Sequence, residues 1–344
     1  MSLQFRSQQI TAEFLLADGT QIQRRIEIRT SPITGRTARI TYSRGLEREP
    51  GADSLPAPPP FAEERVNCPF CAHNLTQNTP RFSPELWPEG RMQRGESTLF
   101  PNLFPYGQYS AVSLFDDNHF VEIGRAHPET YTNSLQNCRN YLARILDYDP
   151  AACHQAITQN HLPSAGGSLL HPHLQVQADH HPANHQRFLL SRCQQYYSET
   201  GQLLFSDYLR HEQVAQTRLL GTIGDWQWLT PFAPEGFFEI WGILPGVTSL
   251  LEITDNQWQA LAQGIICCQK FYRKLGRNGY NLHMLFMEDP TQLKTFEVRA
   301  VLTVRSNYAP WVRSDFTGFE LGPGDMATFD GPEAIAASAR EFWP

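Results

Sequence analysis

The stretch Leu170-His171-Pro172-His173-Leu174-Gln175-Val176-Gln177-Ala178 decides the fold reading. Polar and apolar side chains alternate through it, and a strand sends alternate side chains to opposite faces. His171, His173, Gln175 and Gln177 therefore share one face, while Leu174, Val176 and Ala178 pack on a core. Pro172 has no N–H to give to a ladder, which places it at an edge or a bulge. Just upstream, Gly166-Gly167-Ser168 offers little side-chain bulk and, on this reading, free backbone N–H groups for close approach of a phosphate. Histidine suits attack on phosphorus because its unperturbed pKa of about 6.5 leaves most of the ring neutral at pH 7. One ring nitrogen must keep its proton on a fixed acceptor so that the other presents its lone pair. Gln175, two residues on along the same face, can donate to a phosphoryl oxygen as charge builds there.

Outward from this strand the chain reads as an α+β protein. Residues 110–124 are expected as two strands, 128–147 as a helix with Leu135, Cys138, Leu142 and Ile145 three and four apart, and 156–159 as a strand. The order recurs further on. Phe238-Glu239-Ile240 precedes a helix over 255–275, capped by Thr254 or Asp255 and stopped by Gly276, and Tyr280-Asn281-Leu282-His283-Met284 follows it. This suggests a duplicated unit with antiparallel sheets and helices packed on them, divided as 1–182 and 183–344. Residues 12–43 and 296–305 read as strands, 183–212 and 332–342 as helical, and the proline-rich 44–67 as a surface loop.

Composition excludes several classes. The 344 residues are 41% hydrophobic, enough for a sizeable core, and the formal net charge of −7 comes without any basic run, so nucleic acid is not an expected partner. Neither a leader-like apolar segment nor a membrane span is legible, which makes a cytoplasmic enzyme the expectation. Seven cysteines are too few for a disulfide scaffold in a chain this long. Cys68-Pro69-Phe70-Cys71 has the spacing of half a tetrahedral zinc site, and two histidines are its natural complement, with His73 and His119 among the competing ligands.

The wider pattern Asn160…Gly166-Gly167-Ser168…His171-Pro172-His173-Leu174-Gln175 resembles the active-site strand of the galactose-1-phosphate uridylyltransferase-like family in the histidine-triad superfamily. Pro32-Ile33-Thr34-Gly35 with Arg44, the Asn102-Leu103-Phe104 loop and Gly318-Phe319-Glu320 resemble further segments of that family, so the likeness covers most of the chain. It implies a tandem pair of histidine-triad-like units and a covalent nucleotidyl intermediate on His173. Gln175 and Ser168 would bind its phosphate, with Gly166 and Gly167 beside them. Arg44, Asn102, Phe104 and Asn160 would contact the nucleotide. It also implies one structural zinc per chain on Cys68, Cys71, His127 and His171. Sugar nucleotides and sugar phosphates would be the partners, and a homodimer is an assembly the resemblance allows.

The acceptor is less legible. A lysine and a glutamine that flank the family's glycine-aromatic-glutamate segment correspond to Ser314 and Met326 here, which leaves Arg313 and Glu320 as the groups available to a hexose phosphate. A phosphorylase that uses inorganic phosphate is the alternative reading. A nucleotide-binding protein without catalysis is the third, and intact His173, Gln175 and Ser168 argue against it. The second-half strand carries His283-Met284-Leu285 without a His-x-His pair, so no second metal is expected there.

Overall fold

The structure is a computed structural model that describes residues 3–42, 58 and 59, 61–307 and 315–344. In chain order its elements are β1 (Arg6–Leu15), β2 (Gln21–Thr30), β3 (Thr37–Ile40), α1 (Ala72–Asn78), β4 (Met92–Arg94), β5 (Ser97–Pro101), β6 (Tyr109–Leu114), α2 (Pro128–Tyr148), β7 (His154–His161), β8 (His173–Asp179), α3 (Asn184–Thr200) and α4 (Leu204–Ala215). They continue with β9 (Leu219–Ile223), β10 (Trp226–Leu229), β11 (Ile240–Ile243), α5 (Asp255–Lys274), β12 (Gly279–Met287), β13 (Arg299–Arg305), α6 (Gly318–Leu321), β14 (Met326–Thr328) and α7 (Pro332–Ala339).

Ten strands form one sheet in the order β4-β5-β6-β8-β7-β12-β13-β11-β10-β9. From its centre outward the order is the same in both directions: two strands that follow a long helix, then three that precede it. The centre is the antiparallel β7–β12 pair, in register from His161↔Tyr280 to His154↔Met287. The sheet runs unbroken across the expected division at residue 182. A second sheet, β1-β2-β3-β14, joins the N-terminal strands to the C-terminal segment. Arg29 of β2 ties that sheet to α7 through Glu333 at 2.8 Å.

The long helices lie on one face of the ten-stranded sheet because their apolar residues recur at helical spacing. From α2, Tyr131, Leu135, Cys138, Leu142 and Ile145 are buried, and from α5, Trp258, Leu261, Ile265 and Cys268. Both sets join one core cluster, and each large apolar side chain buried there contributes about 1.5–3 kcal/mol. Helix α5 starts at a capping box in which Thr254 and Gln257 satisfy one another's backbone N–H groups. It ends where Gly276 adopts φ 68°, a conformation open to glycine at little cost. On the opposite face, α3 and α4 cover the second half through Leu189, Leu190, Phe205, Tyr208, Trp241 and Val301.

One expected strand is a loop. After β6 the chain turns at Asp116-Asp117-Asn118, where the Asp116 side chain accepts from the Asn118 N–H at 2.8 Å. Asp117 then accepts from the Ala72 N–H at 2.6 Å. The apolar alternation of 120–123 resembles a strand, yet these polar anchors hold the backbone away from any ladder. Short β4, β5 and β9 and the seven-residue α1 were not expected, being too brief for a periodic signal. Among the described residues no helix is long and apolar enough to cross a membrane.

Candidate functional site

His173 is the first residue of β8, and Leu174, Val176 and Ala178 anchor that strand in the core as the alternation requires. Pro172 stands just ahead of the strand, and its carbonyl accepts from the Phe115 N–H at 3.2 Å. His173 is buried, with 7% of its surface exposed. Its Nδ1 lies 2.8 Å from the carbonyl oxygen of His171. A carbonyl can only accept, so Nδ1 holds the proton and Nε2 carries the lone pair. Burial lowers the pKa of His173, which keeps the ring neutral at pH 7. Phe70 meets the ring edge-on at 5.4 Å and helps to fix its plane.

Gln175 lies between Val112 of β6 and Thr158 of β7, two residues along the same face as His173. Continuing the β7–β8 register brings Asn160 opposite His173. Residues 162–168 turn back from β7 toward β8. Ser168 is exposed. The two glycines have a different role from the one expected: the Gly166 N–H donates to Pro163 O at 2.9 Å and the Gly167 N–H to Leu162 O at 3.0 Å, so neither is free. They are needed for shape, since a Cβ on Gly167 would lie 2.8 Å from Asn160 O and Gly166 has φ 88°. Leu162 itself sits at φ 72° and ψ 163°, a region that costs a residue with a side chain about 1–3 kcal/mol. Its carbonyl accepts from both Ala165 and Gly167, which is what holds the turn in place.

Asn102 accepts from the Phe104 N–H at 3.0 Å, shaping the loop, and the Phe104 ring stands 75% exposed. It is therefore a surface ring and no part of the core. Glu320 closes the capping box of α6, accepting from the Thr317 N–H at 2.7 Å, and these bonds lower its pKa despite burial. Among the described residues it makes no hydrogen bond or ion pair with His173, Gln175 or Ser168. Arg44 and Arg313 lie outside the described residues.

Next to His173, Cys68, Cys71, His119 and His171 gather one donor atom each within 4.8 Å of one another, all four side chains buried. Cys71 Sγ is 3.5 Å from His119 Nδ1 and 3.8 Å from His171 Nδ1, and Cys68 Sγ is 3.9 Å from His171 Nδ1. Ligands about 2.0–2.3 Å from a tetrahedral ion stand roughly 3.4–3.8 Å apart, so the set fits a metal ion closely. His171 Nε2 donates to Asp116 O at 2.8 Å, leaving Nδ1 for the ion, and burial pushes its pKa down to about 4. The fourth member is His119, where the sequence reading expects His127. His127 is exposed and occupied as the N-cap of α2, its Nδ1 accepting from the Glu129 N–H. The polar turn immediately before His119 was the signal in the sequence that could have favoured it. The same His171 that lends Nδ1 to the cluster lends its carbonyl to His173, so the cluster and the candidate nucleophile share one residue.

With this geometry in view, solved structures place the architecture. An ADP-glucose phosphorylase from Arabidopsis thaliana, crystallised with ADP-glucose, superposes with a TM-score of 0.71 at 18% identity, covering 92% of this chain and 99% of its own. A GalT-like protein from Arabidopsis thaliana gives 0.70 at 19% identity, and a uridylyltransferase gives 0.66 at 19%, each over 92% of this chain and 98% of the other. The chain has the uridylyltransferase-like fold. A protein of Archaeoglobus fulgidus, described as uncharacterized, is 26% identical over 346 residues, 99% of each chain. No protein-family model matches the sequence. Within the uridylyltransferase-like fold, β8 carries the candidate nucleophile at its entry and the Cys-His cluster ties that entry to the segment around α1.

Proposed function

We infer that the protein is a nucleotidyltransferase that carries a nucleoside monophosphate on His173. The hydrogen bond from His173 Nδ1 to His171 O supports this most directly, because it presents an unprotonated Nε2 from a ring kept neutral by burial. Nε2 attacks the α-phosphorus of a sugar nucleotide, a P–N bond forms, and the bond to the departing sugar 1-phosphate breaks. A phosphate oxygen of the acceptor then attacks the same phosphorus and releases His173. Gln175 and Ser168, whose side chains make no hydrogen bond among the described residues, are the groups we assign to the phosphoryl oxygens, with Asn160, Asn102 and Phe104 on the nucleotide. We assign zinc to Cys68, Cys71, His119 and His171, where four protein ligands make its role structural.

We take a hexose 1-phosphate as the acceptor. The reading with inorganic phosphate draws on one specific observation: Glu320, the group available to sugar hydroxyls, is already engaged by Thr317 in a helix cap. Discharge of the isolated adduct separates the two. If a hexose 1-phosphate discharges it faster than equimolar phosphate, and Glu320→Ala erases that preference, the transferase reading stands. Equal discharge by phosphate, indifferent to Glu320, replaces it with the phosphorylase. Failure of every sugar nucleotide in a panel including UDP-glucose and ADP-glucose to leave a nucleotidyl adduct by intact mass would end the enzymatic reading.

A further inference from the structure

We propose that Asn281, oriented by Arg305 and Asp315, is a positioning residue that sets the polarity of Asn160 and pins the turn ahead of the phosphate-binding stretch. This rests on the reading of His173 and Asn160 above. All three residues belong to the second half of the chain, whose own face carries no His-x-His pair.

One row of side chains crosses the middle of the sheet. Asn160 of β7 stands between His173 on one side and its register partner Asn281 of β12 on the other, and Asn281 is paired in turn with Thr303 of β13. Asn281 Nδ2 donates to Asn160 Oδ1 at 2.7 Å and to Ala165 O at 2.8 Å. Its Oδ1 accepts from Arg305 Nη1 at 2.8 Å. Arg305 is held by Asp315 through two bonds, Nε to Oδ2 at 2.7 Å and Nη2 to Oδ1 at 3.0 Å. The Ser306 N–H also donates to Asp315 Oδ2 at 3.2 Å.

An amide can be turned end for end, so its direction must come from neighbours that have no choice. Arg305 can only donate, which commits the Asn281 oxygen to it and turns the Asn281 NH2 toward β7. That NH2 commits the Asn160 oxygen, so the Asn160 NH2 must point away from Asn281. Among the described residues the Asn160 NH2 has no hydrogen-bond partner. It is thereby available to oxygens of a ligand beside His173. The second Asn281 N–H ends on Ala165 O, within the turn whose strained Leu162 and close-packed Gly167 set the path to Ser168. The polarity therefore originates in the Asp315 carboxylate and reaches the phosphate-binding stretch through Arg305 and Asn281.

The isosteric Asn281→Asp tests this, since it keeps an acceptor for Arg305 and removes both donors. The labelling rate of His173 at saturating ADP-glucose should fall about 100-fold, the loss expected when reacting groups are misplaced by about an ångström. Asn160→Ala combined with Asn281→Asp should lose less than the product of the two single losses, because the Asn281–Asn160 bond is removed by either change and only the bond to Ala165 O is lost separately. Arg305→Lys, which can still donate, should retain most of the rate, and Arg305→Met should not. Amide hydrogen exchange of residues 162–168 should speed up in Asn281→Asp with no ligand present. Labelling within twofold of the parent, fully additive losses in the double variant, or unchanged exchange at 162–168 would overturn the relay. A parent protein that no sugar nucleotide labels would overturn the proposed function instead, and the exchange measurement would still decide the relay.

Discussion

The faces of β8 and β13 away from the long helices occupy matching places in a sheet that reads alike from its centre outward, and they hold opposite kinds of chemistry. On β8 that face carries His173 and Gln175, bordered by the exposed Ser168 and a loop that displays Phe104. On β13 it carries Arg299, whose guanidinium carbon lies 4.5 Å from the Phe205 ring centre and 4.2 Å from that of Trp241, beneath α3 and α4. The nearby His283 is pushed down to about 3 by burial and by the Arg299 charge, so it too is neutral. The scaffold is common to both halves; what differs is whether helices close the face and which donors remain unspent. This is why the function has to be argued from the site rather than from the fold.

Five variants sharpen the contrast. The largest effect should come from the Cys68→Ser, Cys71→Ser pair, which removes half of the proposed zinc site, whose binding energy would add to the stability of the fold. Metal analysis should fall from one zinc per chain to none, with a drop of many degrees in thermal midpoint. His119→Ala should lose the metal as well, while His127→Ala keeps it and only weakens the α2 cap. Gln175→Ala comes next, with labelling expected to slow roughly 100- to 1000-fold, the usual loss of one donor to a developing charge. Arg299→Met should leave labelling within about twofold by rapid quench; a larger loss would mean that the second face takes part in the reaction.

The smallest effect concerns acid. His283, and His161 pushed down to about 4 by burial, stay neutral in the fold but take up protons near pH 6.5 once unfolded. Their folded pKa values are depressed, so their contribution is intact above about pH 6.5 and is lost as pH falls toward 4. His283→Gln should flatten the decline of the thermal midpoint between pH 6.5 and 5 by about 2 °C per pH unit. An unchanged slope would show that His283 is not held neutral.

Much of this was legible in the sequence because it depended on local pattern. The alternation through β8, the spacing of the α2 and α5 stripes, the Thr254 cap and the Cys68–Cys71 pair are each set by neighbours in the chain. What failed depended on the path of loops. His127 looked well placed just ahead of a helix, yet that position made it a cap, and only the turn at 116–118 brings His119 to the cysteines. The glycines before Ser168 carried the expected small size, but their N–H groups were taken by a turn invisible at the level of composition. Asn281 and Arg305 gave no signal, since the partners of Asn281 lie more than a hundred residues away or on the neighbouring strand, and the carboxylate that holds Arg305 comes from Asp315, in irregular chain beyond the end of its strand.

The most direct measurement is to map the label. Protein quenched after incubation with a radiolabelled or isotopically marked sugar nucleotide, digested at alkaline pH where a phosphoramidate survives, should yield one nucleoside monophosphate per chain, on the peptide that carries His173. His173→Ala should give less than about one part in a thousand of that label, because a covalent nucleophile has been removed. Label on His283 or His185, or label that persists in His173→Ala, would contradict the account.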